Sequence, residues 1–318
     1  MRELIDFAAA PVFAIPLRDA YRAAGSCEGM LLEGPQGWGE FSPPPDCDER
    51  AGARWLTAAI EVGTVGWPDP VRGRVPIAVS VPAIDPVAAH HLAARSGCLS
   101  AEVTVATHRT SLAEDIARVE AVRDALGPAG AVRVVAGGAW TVDAAVQAIA
   151  ALTSAAGVLE YVEQPCSSAD ELAAVRRKVD VRIAADPLAI SGSDDAADIA
   201  VLRCGPLGGA RRALRAAERS GLPCVVSSTL ETSIGLAAGL ALAGALPELP
   251  FACALGTRAL LEGDLVAEPR SLLPVDGFLP VAPMPAAPDP DLLARFLVTD
   301  AAVVARWRER LRSIQITH

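Results

Sequence analysis

The sequence predicts an α/β fold, a (β/α) barrel with a small N-terminal α+β capping domain. From about residue 76, short β-branched runs alternate with alanine-rich amphipathic stretches, which is typical of repeated βα units in a parallel sheet. Before that point, extended segments and turns dominate. A chain of 318 residues has room for both units. We therefore assign residues 1–75 to the cap and residues 76–269 to the barrel.

The cap begins with three extended segments at residues 12–17, 30–33 and 38–41, the last two separated by a Gly-Pro-Gln-Gly turn. This pattern predicts an antiparallel sheet. Three consecutive prolines then end the extended region, and residues 48–62 carry apolar side chains at helical spacing. The predicted cap is therefore a sheet with one helix.

Eight short strands predict the barrel. Because eight parallel strands suit a closed barrel and no glycine-rich dinucleotide motif opens a helix, we favour a barrel over an open doubly wound sheet. The predicted strands cover residues 77–81, 101–105, 132–136, 159–163, 181–185, 199–203, 224–227 and 251–254. The clearest predicted helices cover residues 111–126, 141–155, 169–178, 209–220 and 232–245.

The segment after about residue 270 is rich in proline and predicts a loop, because proline cannot continue a helix or a central strand. A final helix is predicted at residues 291–312. We expect this tail, residues 270–318, to return to the cap.

Composition limits the classes of partner. Apolar runs end before the roughly 18 residues that suggest a membrane span, and a net charge of −10 disfavours binding to nucleic acid. The acidic N-terminus argues against an export signal. The seven cysteines are scattered without a C-x-x-C spacing, so we expect reduced, mostly buried thiols. These features predict a cytoplasmic protein with a small-molecule substrate and no nucleic-acid or membrane partner; they predict no oligomeric state.

Lysine is almost absent. Lys178 is the single lysine among 28 basic residues, and it lies beside two arginines at a predicted helix end. Arginine does not lose its proton near neutral pH, whereas lysine can be tuned to act as a base. The chain therefore has almost no lysine available for catalysis.

Charged residues stand at the ends of several predicted strands, where barrels place their chemistry. Glu102 and Thr104 share the inward face of one strand, and Glu163, Asp186 and Arg203 each follow or close a later one. Carboxylates at adjacent strand ends can converge on a divalent cation or, alternatively, cap helices or pair with arginine. Glu102 is either functional or part of a buried ion pair.

Hydroxyl side chains end the seventh predicted strand and open the next helix at residues 227–235. Free N–H groups at a helix N-terminus favour carboxylates and phosphates, although these hydroxyls can equally be simple helix caps. The predicted substrate contacts are Arg22, Thr104, Ser227, Ser228, Thr232, Gly256 and Thr257.

Seven ordered segments carry a family resemblance: GPQGWGEF at 34–41, LEYVEQPC at 159–166, IAAD at 183–186, DIAVLR at 198–203, PLGG at 206–209, VSSTLETSIG at 226–235 and LPELP at 246–250. Together they resemble the o-succinylbenzoate synthases of the enolase superfamily, particularly the actinobacterial type. The resemblance extends over nearly the whole chain. It implies an enolase-superfamily barrel with a capping domain.

The resemblance also implies a reaction. A lysine pair on the second barrel strand and a lysine on the sixth would move the proton and stabilise an enolate, and Mg²⁺ held by three carboxylates would stabilise an enediolate while water leaves. Glu163 and Asp186 match two of the metal ligands. This sequence departs from that pattern. Glu102 and Thr104 stand where the lysine pair is expected, Arg203 where the third lysine is expected, and Val135 where the first metal carboxylate is expected. Gly137 and Pro187 replace polar residues that are expected nearby.

Three hypotheses follow. The first is a repurposed, metal-independent lyase, a dehydratase or cyclase for a small carboxylate or carbonyl substrate, with Glu102, Glu163, Asp186 and Arg203 as catalytic residues. The second is a non-catalytic member that binds a ligand or a partner. The third is a genuine Mg²⁺-dependent o-succinylbenzoate synthase of menaquinone biosynthesis, with Glu102 as a substitute metal ligand. No cofactor is expected, and Mg²⁺ on Glu163 and Asp186 is the disfavoured alternative.

Overall fold

The structure is a computed structural model that describes residues 5–18, 21, 25–108, 110–193, 195–281 and 284–317. The strands are β1 (Val12–Pro16), β2 (Ser26–Gly34), β3 (Gly37–Phe41), β4 (Arg74–Pro76), β5 (Ala78–Val81), β6 (Ser100–Thr104), β7 (Ala131–Val135), β8 (Leu159–Glu163), β9 (Ile183–Ala185), β10 (Ile199–Leu202), β11 (Cys224–Val226) and β12 (Phe278–Pro280). The α-helices are α1 (Glu49–Thr64), α2 (Pro86–Arg95), α3 (Leu112–Leu126), α4 (Val142–Ala156), α5 (Ala169–Arg176), α6 (Cys204–Leu207), α7 (Ala210–Ser220), α8 (Ser233–Ala245), α9 (Pro290–Phe296) and α10 (Ala301–Thr317).

The cap consists of an antiparallel sheet, in the order β1-β2-β3, covered by helix α1. Asp48 caps α1 by accepting a hydrogen bond from the amide of Ala51. The helix lies directly on the backbone of β3, because a Cβ atom at Gly39 would come within 2.1 Å of the carbonyl oxygen of Ala59. The absence of a side chain at Gly39 in β3 thus permits the close approach of helix and sheet.

The barrel is a parallel sheet that, in the described part of the chain, has seven strands in the order β11-β10-β9-β8-β7-β6-β5. The predicted eighth strand is reduced to two bridging residues that close the ring. Cys253 bridges to Ile77 before β5, and Ala254 bridges to Ser227 after β11. The closed barrel, rather than the open sheet, is therefore the observed architecture.

The five clearest predicted helices begin and end within two residues of the predicted positions, and several of their ends carry a clear cap. Ser111 and Ser168 form capping boxes at the starts of α3 and α5. Gly157 and Gly221, both with positive φ, follow the ends of α4 and α7. Helices α2 and α6 and the antiparallel pair of β4 with β12 were not predicted.

The tail corrects one prediction. In place of one helix at residues 291–312, α9 and α10 are separated at Leu297, which bridges to Phe13 of β1. The carboxylate of Asp300 accepts from the amide of Ala302 and starts the second helix. Helix α10 packs its apolar face, including Trp307 and Ile314, on the cap core.

Cap and barrel meet along α1. Glu61 accepts from the backbone amide and the guanidinium of Arg211 at the start of α7, at 3.2 and 3.0 Å. Gly209 has φ +112°, and a Cβ atom there would lie 1.7 Å from Oε2 of Glu61. The glycine pair of the PLGG segment therefore makes room for the cap carboxylate. None of the helices in the described part of the chain combines the length and the apolar character needed to span a bilayer.

Candidate active site at the barrel mouth

Strand alternation decides which side chains enter the barrel. In β6, Ala101 and Val103 pack outward against the helices, so Glu102 and Thr104 face inward. The lower part of the interior is filled by an apolar layer. Its members are Tyr161, Ala184, Ile199, Val201, Val225 and Phe251. The charged inward side chains therefore stand above a packed floor, toward the carboxyl ends of the strands.

Glu163 and Arg203 form an ion pair at this mouth. Nη2 of Arg203 donates to Oε1 of Glu163 across the intervening strand β9. The Glu163 side chain is 4% exposed and that of Arg203 is 19% exposed. The second carboxylate oxygen, Oε2 of Glu163, has no hydrogen-bond partner among the described residues. The site thus contains a buried carboxylate oxygen, Oε2 of Glu163, that can accept a further hydrogen bond.

Glu102 pairs with an arginine that the sequence analysis did not select. Nε of Arg133, on the neighbouring strand β7, lies 3.2 Å from Oε2 of Glu102, and the Arg133 side chain is fully buried. Its Nη1 donates to the carbonyl of Ala252 at 2.8 Å, and the guanidinium lies over the ring of Tyr161. The sequence nevertheless indicates an inward position for Arg133, because this residue alternates with apolar residues in its strand as Glu102 does.

The environment shifts the pKa of Glu102. Burial is the largest cause and raises this pKa from 4.5 to about 7, and Glu163 adds to the rise while Arg133 and Arg203 oppose it. The ion-pair alternative from the sequence is therefore present, yet the carboxyl group still titrates near neutral pH. A group of this kind can give or take a proton under physiological conditions.

Asp186 lies beside the same mouth. Its Oδ1 accepts from the amide of Leu188 at 2.7 Å, and burial raises the pKa of the carboxyl group, although that hydrogen bond and Arg203 lower it. Burial lowers the pKa of Arg203, but Glu163, Glu102 and Asp186 together raise it above its ordinary value. The structure thus brings together the four residues predicted as catalytic.

The predicted substrate contacts fall into separate groups. Thr104 lies on the inward face of β6 beside Val135 in register. Ser227 is buried at the end of β11. The hydroxyl of Ser228 lies 2.6 Å from that of Thr257. Gly256 lies close to β5, where a Cβ atom would meet the carbonyl of Ala78 at 2.9 Å.

One predicted contact, Thr232, is placed differently. Thr232 is fully buried and caps α8, and its amide and hydroxyl both donate to Glu40 of the cap. Of the two roles considered for Thr232, substrate contact and helix cap, the structure shows the cap, and the hydroxyl already donates to a protein carboxylate. Burial, the largest cause, raises the pKa of Glu40 to about 8 despite these hydrogen bonds. Arg22 lies outside the described residues.

Comparison with known proteins shows the family to which the chain belongs. The family model for the enolase C-terminal domain-like region matches residues 87–287, and the enolase N-terminal domain-like model matches residues 12–63. An o-succinylbenzoate synthase from Thermobifida fusca is 54% identical and aligns with 85% of this chain and 86% of its own length. The chain belongs to the o-succinylbenzoate synthase family of the enolase superfamily. A second member, from Mycolicibacterium smegmatis, is 47% identical over 89% of this chain and 88% of its own.

Solved structures agree on the fold. The muconate cycloisomerase of Pseudomonas fluorescens superposes with a TM-score of 0.74 at 19% identity, over 92% of this chain and 98% of that enzyme. The L-Ala-D/L-Glu epimerase of Bacillus subtilis gives a TM-score of 0.71 at 20% identity, over 89% and 96% of the two chains. At such identities the likeness shows the shared barrel and cap.

The residues at the mouth do not fit the Mg²⁺ ion that the family resemblance implies. Val135 lies opposite Glu163 in the strand register, where the third carboxylate is expected. Arg203 holds one oxygen of Glu163, and Glu102 pairs with Arg133. No three His, Cys, Asp or Glu side chains of the described residues are grouped so that they could hold a metal. Mg²⁺ prefers octahedral oxygen ligands, which this arrangement does not offer.

Proposed function

We propose that this chain is a metal-independent lyase of the o-succinylbenzoate synthase family, a dehydratase or cyclase, that acts on a small carbonyl or carboxylate substrate. The observation that carries the proposal is Glu102, an inward carboxyl group with a pKa of about 7 that shares the mouth with the cation Arg203. Acid–base catalysis is most effective when the pKa of the catalytic group lies near the working pH. Glu102 supplies such a group in a chain with one lysine.

Each charged residue has a role in this proposal. In a dehydration, Glu102 takes the proton from the carbon next to a carbonyl group, and the negative charge that develops on the carbonyl oxygen faces Arg203. Asp186, whose pKa is raised by burial, gives a proton to the departing hydroxyl so that it leaves as water. Glu163 fixes the orientation of Arg203. Because three carboxylates surround that arginine, the charge balance favours a carbonyl over a carboxylate at this point.

The second candidate is o-succinylbenzoate synthesis itself. The comparisons favour this candidate over the metal-independent lyase, because relatives that are 45–54% identical bear that name. The composition of the mouth argues for the first candidate. Val135 and Arg203 weaken the metal site, and the lysine base is replaced by Glu102. The two candidates differ in their need for a divalent cation and in the residue that moves the proton.

A turnover assay separates the candidates. The purified protein is incubated with the family's cyclohexadiene substrate, once after treatment with EDTA and once with Mg²⁺ or Mn²⁺. The metal-independent lyase is expected to turn over in EDTA and to lose at least about 100-fold in kcat in Glu102→Gln and Arg203→Met. Glu218→Gln, on the exposed face of α7, is the control that keeps full activity.

The other outcomes are also decisive. Turnover that requires the metal would establish the synthase, and Glu102→Gln would then show whether Glu102 serves as a substitute metal ligand. Absence of turnover in both conditions, with the substrate still binding, would exclude both candidates for this substrate and would leave a lyase for another substrate or a non-catalytic member.

A further inference from the structure

The barrel mouth places one guanidinium among three carboxylates. Glu102 enters from β6, Glu163 from β8 and Asp186 from the end of β9, and each of them acts electrostatically on Arg203 from β10. The direct contact is with Oε1 of Glu163. Glu102 is also paired with Arg133, so Glu163 and Asp186 are the two carboxylates that a metal at this position would have to share with Arg203.

Val135 contributes a second feature of this arrangement. In the register of the sheet it pairs with Thr104 on one side and with Glu163 on the other. An aliphatic side chain therefore stands at the strand end nearest to the buried carboxylate. The Oε2 atom of Glu163, a residue that is 3% exposed, has no protein hydrogen-bond partner among the described residues. One oxygen of this carboxylate is thus held by Arg203, the other has no protein hydrogen-bond partner among the described residues, and the residue opposite in the register offers no anion.

We propose that the Arg203 guanidinium is the resident cation of the barrel mouth and that, with Val135, it excludes divalent cations from Glu163 and Asp186. Arginine keeps its charge at any physiological pH, so it cannot make way for a metal by losing a proton. A divalent cation would meet a fixed positive charge and would find too few anionic oxygens. The inference concerns the ion that balances the site, and it holds whether or not the proposed lyase reaction takes place.

The test is a set of Mn²⁺ titrations on the full-length chain, followed by electron paramagnetic resonance and by calorimetry. The proteins compared are the wild type, Val135→Asp, Arg203→Met and the double variant Val135→Asp/Arg203→Met. The double variant is expected to bind Mn²⁺ at least about 100-fold more tightly than the wild type, and each single variant is expected to gain about tenfold or less. The matched control is Val135→Asn/Arg203→Met, which has the same shape without the new negative charge and should bind no better than Arg203→Met.

Three results would overturn the inference. The wild type could bind Mn²⁺ as tightly as the double variant, Val135→Asp alone could do so, or a folded double variant could fail to bind. Circular dichroism and thermal melting report whether the double variant is folded. If it is not, Val135→Asp/Arg203→Lys replaces it, because the shorter ammonium group can move away from Glu163, and the same ranking is expected.

Discussion

Asp264 and Glu163 are both buried carboxylates that pair with an arginine, yet their surroundings differ. Asp264 accepts from Nε of Arg258 at 2.8 Å, from the hydroxyl of Ser271 at 2.7 Å, from the hydroxyl and amide of Ser233, and from its neighbour's amide. Glu163 has Arg203 as its hydrogen-bond donor, and its second oxygen has no protein partner among the described residues.

The difference separates a structural carboxylate from one that is available for chemistry. Asp264 ties the start of α8 to the segment after the barrel strands, and both of its carboxylate oxygens accept hydrogen bonds from protein groups. A buried polar group that lacks a partner costs stability, and proteins retain such groups mainly at functional sites. We therefore expect changes at Asp264 to affect folding and changes at the mouth to affect binding and turnover.

The largest expected effect is at Asp264. Asp264→Asn should lower the free energy of unfolding by about 3–5 kcal/mol, because Arg258 loses its counter-charge while it remains buried. Urea denaturation at constant pH measures the change. A loss of less than about 1 kcal/mol would show that the network around Asp264 is not structural and would remove the contrast with Glu163.

An intermediate effect is expected in the pH dependence of stability. The pKa of Glu102 is raised when the protein is folded, from 4.5 to about 7. The folded state therefore holds this proton more tightly, and stability falls as the pH rises through that interval. The slope from this group is at most about 1.4 kcal/mol per pH unit.

The measurement is urea denaturation of the wild type and Glu102→Gln between pH 5 and pH 8. Glu40 and Asp186 also have raised pKa values and contribute slopes of the same sign, so both proteins keep them. The variant should show a shallower decline than the wild type. Parallel curves would mean that Glu102 stays ionised and cannot serve as an acid–base group near neutral pH.

The smallest expected effect on stability is at Glu163. Glu163→Gln should change the free energy of unfolding by about 1 kcal/mol or less, because glutamine keeps an acceptor and Arg203 retains Glu102, Asp186 and some exposure to solvent. Thermal melting alongside Asp264→Asn gives the comparison. A loss as large as that of Asp264→Asn would place Glu163 among the structural carboxylates.

Much of the fold could be predicted because local signals agree with the tertiary structure. The strand at residues 159–163 was predicted with the bounds that the structure shows, since it contains Tyr161 and Val162 and lies between Gly157 and Pro165. Helix α2 was missed because residues 86–95 show little apolar periodicity, although Pro86 stands at the helix start, where proline is favoured. The final helix was predicted as one because its break depends on a long-range bridge between Leu297 and Phe13.

The site was only partly predictable. Strand ends identified Glu163, Asp186 and Arg203, and strand alternation identified Glu102, because barrel geometry decides where those positions lie. Arg133 was missed, although its alternation with valines was visible, because the sequence does not show which charges pair. Thr232 carried a helix-start signal, but its bond to Glu40, 192 residues away, could not be seen in the local pattern.

The packing of α10 on the cap has a consequence for protein synthesis. Trp55 and Leu56 of α1 belong to the same buried core as Trp307, Leu311 and Ile314 of α10. Because a nascent chain emerges from its N-terminus onward, the cap residues leave the ribosome first and their covering helix leaves much later. The residues that close the barrel, Cys253 and Ala254, also precede that helix. All strands of the barrel are therefore synthesised before α10. Until α10 follows, the apolar face of the cap that it covers in the folded protein is without this helix.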